Sequence, residues 1–177
     1  TSAYNGAMGS YSIAMGSDTR ASGESSTAMG NNTVASGDSS TAMGSYTYTS
    51  GYSSTAMGNN TNASGESSTA MGSFTTASGD SSTAMGQRTI ASDFGSLVIG
   101  QYNNSGSSSE TGSATQFDSS NTAFVIGNGD AISKSDAFKV MFNGDVTAAG
   151  SVTADSFIGD GSLLTNLTGA AGILSSV

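Results

Sequence analysis

Glu24, Asp38, Glu66 and Asp80 fall on one fourteen-residue register, each directly after a glycine. Carboxylates in pairs are the smallest kit for acid–base hydrolysis, but that chemistry needs two groups converging in a cleft with pKa values pushed apart. Periodic placement instead sets these four at successive corners along an axis, ~4.8–10 Å apart. It predicts a solvated charge column that discourages aggregation. Turn carboxylates also suit calcium, yet the Gly-Gly-x-Gly-x-Asp pattern of calcium-binding rolls is missing and no structural metal is expected. The chain contains no His and no Cys, which removes the usual general base, the commonest metal ligand and the thiol nucleophile. The sequence reads as non-enzymatic, with no cofactor.

Binding is better served. Tyr46, Tyr48 and Tyr52 interrupt otherwise bland columns, and Phe74 stands two repeats beyond Tyr46 in the same column. With neighbouring Asn and Ser donors they form a candidate ligand surface for a cell-surface glycan or protein receptor; ordinary variation of a β surface is the alternative. Two threonine arrays, Thr27/Thr41/Thr55/Thr69/Thr83 and Thr33/Thr47/Thr61/Thr75/Thr89, raise the question of ice binding. The first shares its face with a Met column that needs cover, and the second lies on the register expected to be interior, which argues against it. Nucleic acid is excluded as a partner: the net charge is −9, and the four basic residues, Arg20, Arg88, Lys134 and Lys139, are scattered.

These residues are positioned by a repeat. Ala-Met-Gly recurs at Met15, Met29, Met43, Met57, Met71 and Met85, and the next step of fourteen lands on Ile99-Gly100. A fixed period over seven registers means one small unit stacked along an axis. Each period has two halves of seven, seen in the pairs Gly30/Gly37 and Ala28/Ala35. Each half reads as a strand of about five residues followed by a Gly-centred corner, where positive φ is cheap. Two strands and two corners close one coil of a parallel β-solenoid, and proline is absent, which suits unbroken ladders. Leu, Ile, Val and Phe total only 26, and five of them precede Leu97. That scarcity alone would suggest disorder; narrow coils with Ala-sized interiors resolve it.

Strand alternation assigns the faces. If the Ala columns fill the interior, Met15, Met29, Met43, Met57, Met71, Met85 and Ile99 point outward as an apolar stripe that needs cover. A second copy of the chain is the simplest cover, so these residues are the candidate trimer interface. The converse, Met inside and Ala outside, is also permitted by alternation. The variable columns Arg20/Val34/Tyr48/Asn62/Thr76/Ile90 and Asp18/Asn32/Tyr46/Asn60/Phe74/Arg88 read as exposed to solvent.

The repeat decays at Asp93, where glycine is expected. Residues 1–100 are read as the β-roll, 101–136 as a transition with an irregular loop over 102–121, and 137–177 as a connector. Phe124-Val125-Ile126-Gly127 restores one strand–Gly element, and Ala137–Phe142 is a stronger strand closed by Asn143-Gly144-Asp145. Leu163, Leu164, Leu167, Ile173, Leu174 and Val177 form an apolar tail suited to a trimer seam. The chain opens at Thr1 within repeat-like sequence, which reads as a fragment or processed product. No segment resembles a signal peptide or membrane span. Sites such as Asn31 and Asn166 fit Asn-x-Ser/Thr and matter only where the host glycosylates secreted proteins.

Ser-Thr-Ala-Met-Gly followed by Thr-x-Ala-Ser-Gly resembles the head repeat of YadA-like trimeric autotransporter adhesins, over about Ala7 to Gly100. Thr27 stands where that family has Val, and Met29 where it has Ile. The resemblance implies a left-handed parallel β-roll, three of which pack around a common axis, on an extracellular fibre mediating attachment. The family's neck and stalk motifs are not recognisable after Gly100. Instead Phe138-Lys139-Val140, Asn143-Gly144-Asp145-Val146 and Phe157–Leu167 resemble connectors of phage tail fibres, which often precede a self-cleaving chaperone. Both resemblances imply a homotrimeric fibre on a cell or virion surface, acting as an adhesive head or as a passive shaft.

Overall fold

The structure, a computed structural model, describes residues 6–104 and 112–155. Through the repeats, two-residue and five-residue strands alternate. In chain order they are β1 (Gly6–Ala7), β2 (Ile13–Ser17), β3 (Arg20–Ala21), β4 (Thr27–Asn31), β5 (Val34–Ala35), β6 (Thr41–Ser45), β7 (Tyr48–Thr49), β8 (Thr55–Asn59), β9 (Asn62–Ala63), β10 (Thr69–Ser73), β11 (Thr76–Ala77), β12 (Thr83–Gln87), β13 (Ile90–Ala91) and β14 (Leu97–Gln101). The short strands form a seven-stranded sheet, and the long ones belong to a ten-stranded sheet. Every pair through β14 is parallel and in fourteen-residue register, such as Met57↔Met71 and Ala63↔Ala77. The chain is a parallel β-solenoid, as its period predicts, but its two halves are unequal in strand length.

Between the sheets there is room only for small side chains. Ala28, Ala35, Ala42, Ala56, Ala63, Ala70, Ala77, Ala84 and Ala91 are fully buried. This settles the alternation: Ala lies inside and Met outside. Thr33, Thr47, Thr61, Thr75 and Thr89 are also fully buried, and none of their hydroxyls has a hydrogen-bond partner among the described residues. That array therefore meets no water and presents nothing to ice. Ser26 and Ser54 are buried too, each donating its hydroxyl to the carbonyl three residues back at 2.7 Å, a local bond that closes the corner.

The glycines act differently from the simple corner expectation. With the exception of Gly95, the left-handed residues of the corners are not glycines. At one corner they are Asp18, Asn32, Tyr46, Asn60, Phe74, Arg88 and Tyr102, and at the other chiefly Ser25, Ser39, Ser53, Ser67 and Ser81. Gly30 instead lies inside β4 at φ 128°, a conformation closed to other residues. Gly37 has no such φ; it is glycine because a Cβ there would fall on the carbonyl oxygen of Gly51 in the next coil. Both glycine columns keep the coils at ladder spacing, while Asn and Ser turn the chain.

Past β14 one sheet stops and the other continues. Asn103 takes the place of the interior threonine, and its amide closes the end of the short sheet. Its Oδ1 accepts the Ile90 N–H at 2.8 Å, and its Nδ2 donates to the Ile90 carbonyl at 3.0 Å. The long sheet gains β15 (Thr122–Asn128), which stacks on β14 in parallel, with Val125 on Val98, Ile126 on Ile99 and Gly127 on Gly100. The antiparallel strands β16 (Asp136–Met141) and β17 (Val146–Ala148) complete it. Asp93 marks the seam. Where glycine would admit another coil, its buried carboxylate accepts the Thr122 N–H at 2.7 Å and starts β15. Burial pushes its pKa up, opposed by that hydrogen bond. The connector motif over Phe157–Leu167 and the apolar tail from Leu163 to Val177 lie outside the described residues.

Candidate functional site

Two outer faces carry the candidate residues, one on each sheet. On the long sheet, Met15, Met29, Met43, Met57, Met71, Met85 and Ile99 are successive Cα partners. Met15 and Met43 are exposed, and the others are half-buried by their neighbours in the row. The row does not end with the repeats. Its partners continue through Ile126, Phe138 and Ala148. Beside it, the threonine row Thr27 to Thr83 passes into Leu97, Phe124, Val140 and Val146. Phe124 and Phe138 meet edge to face at 6.3 Å between ring centroids. One face of ten strands, ~43 Å long at ladder spacing, is thus apolar throughout one row and increasingly apolar in the next.

The other face is irregular. Tyr48 and Phe74 line one shallow groove of about 430 Å³, together with Asn60, Asn62, Thr76, Arg88, Ile90, Tyr102, Ala131 and Lys134. Its floor is the short sheet, its edge is the left-handed corner column, and its overhang is the loop after β15. Tyr46 belongs to that same corner column, one coil from Asn60, and is exposed. Tyr52 lies on the opposite corner, between β7 and β8, so it does not share a surface with the other three. Alternation alone does not separate the two corners, because it carries no information on which way the chain turns.

Arg88, Tyr102 and Lys134 were not singled out by their residue types. For Arg88 and Tyr102 the signal is nonetheless present: Phe74, Arg88 and Tyr102 are fourteen apart, so they stack, whereas Lys134 lies off the period. The Arg88 guanidinium lies 4.5 Å from the Phe74 ring centroid and 5.7 Å from that of Tyr102. The overhanging loop is tied down. Ser135 N–H donates to the Tyr102 carbonyl at 3.1 Å, and Gln101 Nε2 donates to the Gly129 carbonyl at 3.0 Å. Asp130, on the same loop, accepts the Ser133 and Ile132 N–H groups, which hold its carboxyl below the usual range.

The acidic column has structural partners. Asp38 accepts the Glu24 N–H at 2.9 Å, and Asp80 accepts the Glu66 N–H at 2.8 Å. Each Asp therefore reaches back and clips its coil to the one before. These carboxylates lie along an open corner rather than converging in a cleft. Among the described residues no group of three or more acidic, His or Cys side chains is placed to hold a metal ion, and no helix is long and apolar enough to cross a membrane.

No curated protein matches the chain. Residues 7–33, 21–47, 50–75 and 77–103, together just over half of the chain, match the YadA head domain repeat (two copies). This coverage coincides with the stacked coils β2 to β14 and with the strict Ala, Met and Gly columns. By its repeats and by the solenoid they build, the chain belongs to the YadA head repeat family, a structural, adhesin-type family.

Proposed function

We propose that this chain is a non-enzymatic segment of a homotrimeric extracellular fibre that attaches its bearer to a host or another surface. The observation that carries this reading is the apolar row across all ten strands of the long sheet. A stripe ~43 Å long is more than a monomer in water leaves uncovered. A second copy matches it best, because identical ladders share one spacing along the axis and put Met against Met in every coil. Methionine suits such a seam, being unbranched and adaptable in packing. The rising share of Ile, Leu, Phe and Val toward β17 supports a seam that tightens away from the repeats. With the long sheets turned inward, the short sheets and both corner columns face outward, where a receptor is met.

The attachment reading is tested with the chain coupled to latex beads. The beads should adhere to cultured epithelial cells or immobilised matrix proteins more than beads carrying serum albumin. Equal adherence would leave a passive shaft.

A further inference from the structure

The groove on the short sheet departs from the surrounding surface in three independent respects. The first is charge. Arg88 and Lys134 are two of only four basic residues in a chain of net charge −9, and among the described residues no carboxylate lines the groove they share.

The second is backbone. Phe74, Arg88 and Tyr102 hold φ of 57°, 52° and 43°. Elsewhere in this column stand Asp18, Asn32 and Asn60, the types that tolerate the left-handed region, and one further bulky residue, Tyr46, two coils before Phe74. Bulky side chains there persist where something else demands them, and such outliers gather at binding sites. Three in succession form one edge of the groove.

The third is the state of Arg88. Phe74 and Tyr102 hold the guanidinium between them, and its N–H groups make no hydrogen bond or ion pair among the described residues. A guanidinium stacked on rings, with donor edges unengaged, is a preorganised fork for a carboxylate. Along the groove from it lie amides at Asn60 and Asn62 and, three ladder steps away, the exposed ring of Tyr48. The volume falls in the range of small-ligand sites.

We propose that this groove binds an acidic oligosaccharide. Arg88 pairs with the carboxylate of one sugar, Lys134 stands over that sugar on the overhang, Tyr48, three ladder steps or ~14 Å along the groove, stacks on a C–H face of a further sugar, and Asn60 and Asn62 bond hydroxyls between them. The proposal deepens the attachment reading by naming its ligand class. It does not need the trimer, since every residue comes from one chain.

The test titrates the full chain with sialyllactose and with a glucuronate-containing disaccharide, against lactose, by NMR chemical shift. The acidic sugars should bind with Kd near 1 mM or below, at least about tenfold tighter than lactose. Arg88→Asn should abolish that preference while raising the melting temperature by roughly 2–4 °C, because Asn is what the corner backbone favours; misfolding would lower it. Tyr52→Ala, on the far corner, should bind as the parent does. Lactose bound equally well, an Arg88→Asn chain that keeps the preference, or no saturation by any sugar at ~10 mM would each overturn the proposal. So would a short polyglutamate peptide binding as tightly as the sugars. Light scattering on the same samples separates the two readings. A trimer that binds no acidic sugar defeats the groove alone, and a monomer that binds one defeats the trimer alone.

Discussion

The two outer faces of the roll obey different rules. On the long sheet, the outward row keeps one residue type for six coils, from Met15 to Met85, and then changes only to Ile, Phe and Ala. On the short sheet and its corner, the outward columns accept Asp, Asn, Tyr, Phe, Thr, Ile and Arg at equivalent positions. Both faces hang from the same Ala and Gly columns, so the fold does not impose the difference. A face that must meet a copy of itself in every coil tolerates few residue types, whereas one that faces outward is free to vary. On the proposed function, variation is where specificity resides, and uniformity is where assembly resides.

The sharpest way to break this contrast is a charge on each face of the same coils. Met57→Asp should abolish assembly, because it puts three carboxylates into the interface, each costing several kcal/mol unpaired. Asn62→Asp, on the short sheet, should leave assembly intact; size-exclusion chromatography distinguishes them. The interior that both faces share comes next. Ala56→Leu overfills a site of zero exposure and should destabilise by about 1–3 kcal/mol in urea unfolding. Thr61→Val keeps the volume and removes a buried hydroxyl that has no partner among the described residues. It should stabilise by about 1 kcal/mol, and it would be destabilising if that hydroxyl were in fact bonded.

The smallest effect lies at the seam where the short sheet ends. Burial raises the pKa of Asp93 in the folded chain. Its favourable contribution is therefore full below the unfolded value and lost as pH rises through the folded one. Asp93→Asn keeps an oxygen for the Thr122 N–H and cannot ionise. It should melt about 2 °C above the parent at pH 7, with the gap closing by pH 3. A gap that widens in acid would reverse the assignment.

Much of this architecture was legible because the period constrains it. Fourteen-residue spacing gave the stacking, and alternation with a size argument put Ala28 inside and Met29 outside. The glycines were the instructive miss. Gly30 and Gly37 invite a corner reading, yet the corners belong to Asn32 and Ser39, and the glycines serve close approach between coils. Close approach is a contact across fourteen residues, which local turn chemistry does not see. The same holds for Asn103. Its amide completes a ladder thirteen residues back, and nothing in its neighbourhood announces that. Of the aromatic candidates, Tyr48 and Phe74 came together while Tyr52 did not, because two corners that look alike in sequence lie on opposite edges. Arg88 read as scattered because its partners Phe74 and Tyr102 are adjacent only after stacking.

The central claim is that the uniform face joins three copies, and mass measures it most directly. Native mass spectrometry of the full chain should give one dominant species of three times 17.3 kDa, reduced to a single chain by Met57→Asp and unchanged by Asn62→Asp. A parent chain that flies as a monomer, or a trimer indifferent to Met57→Asp, would contradict it.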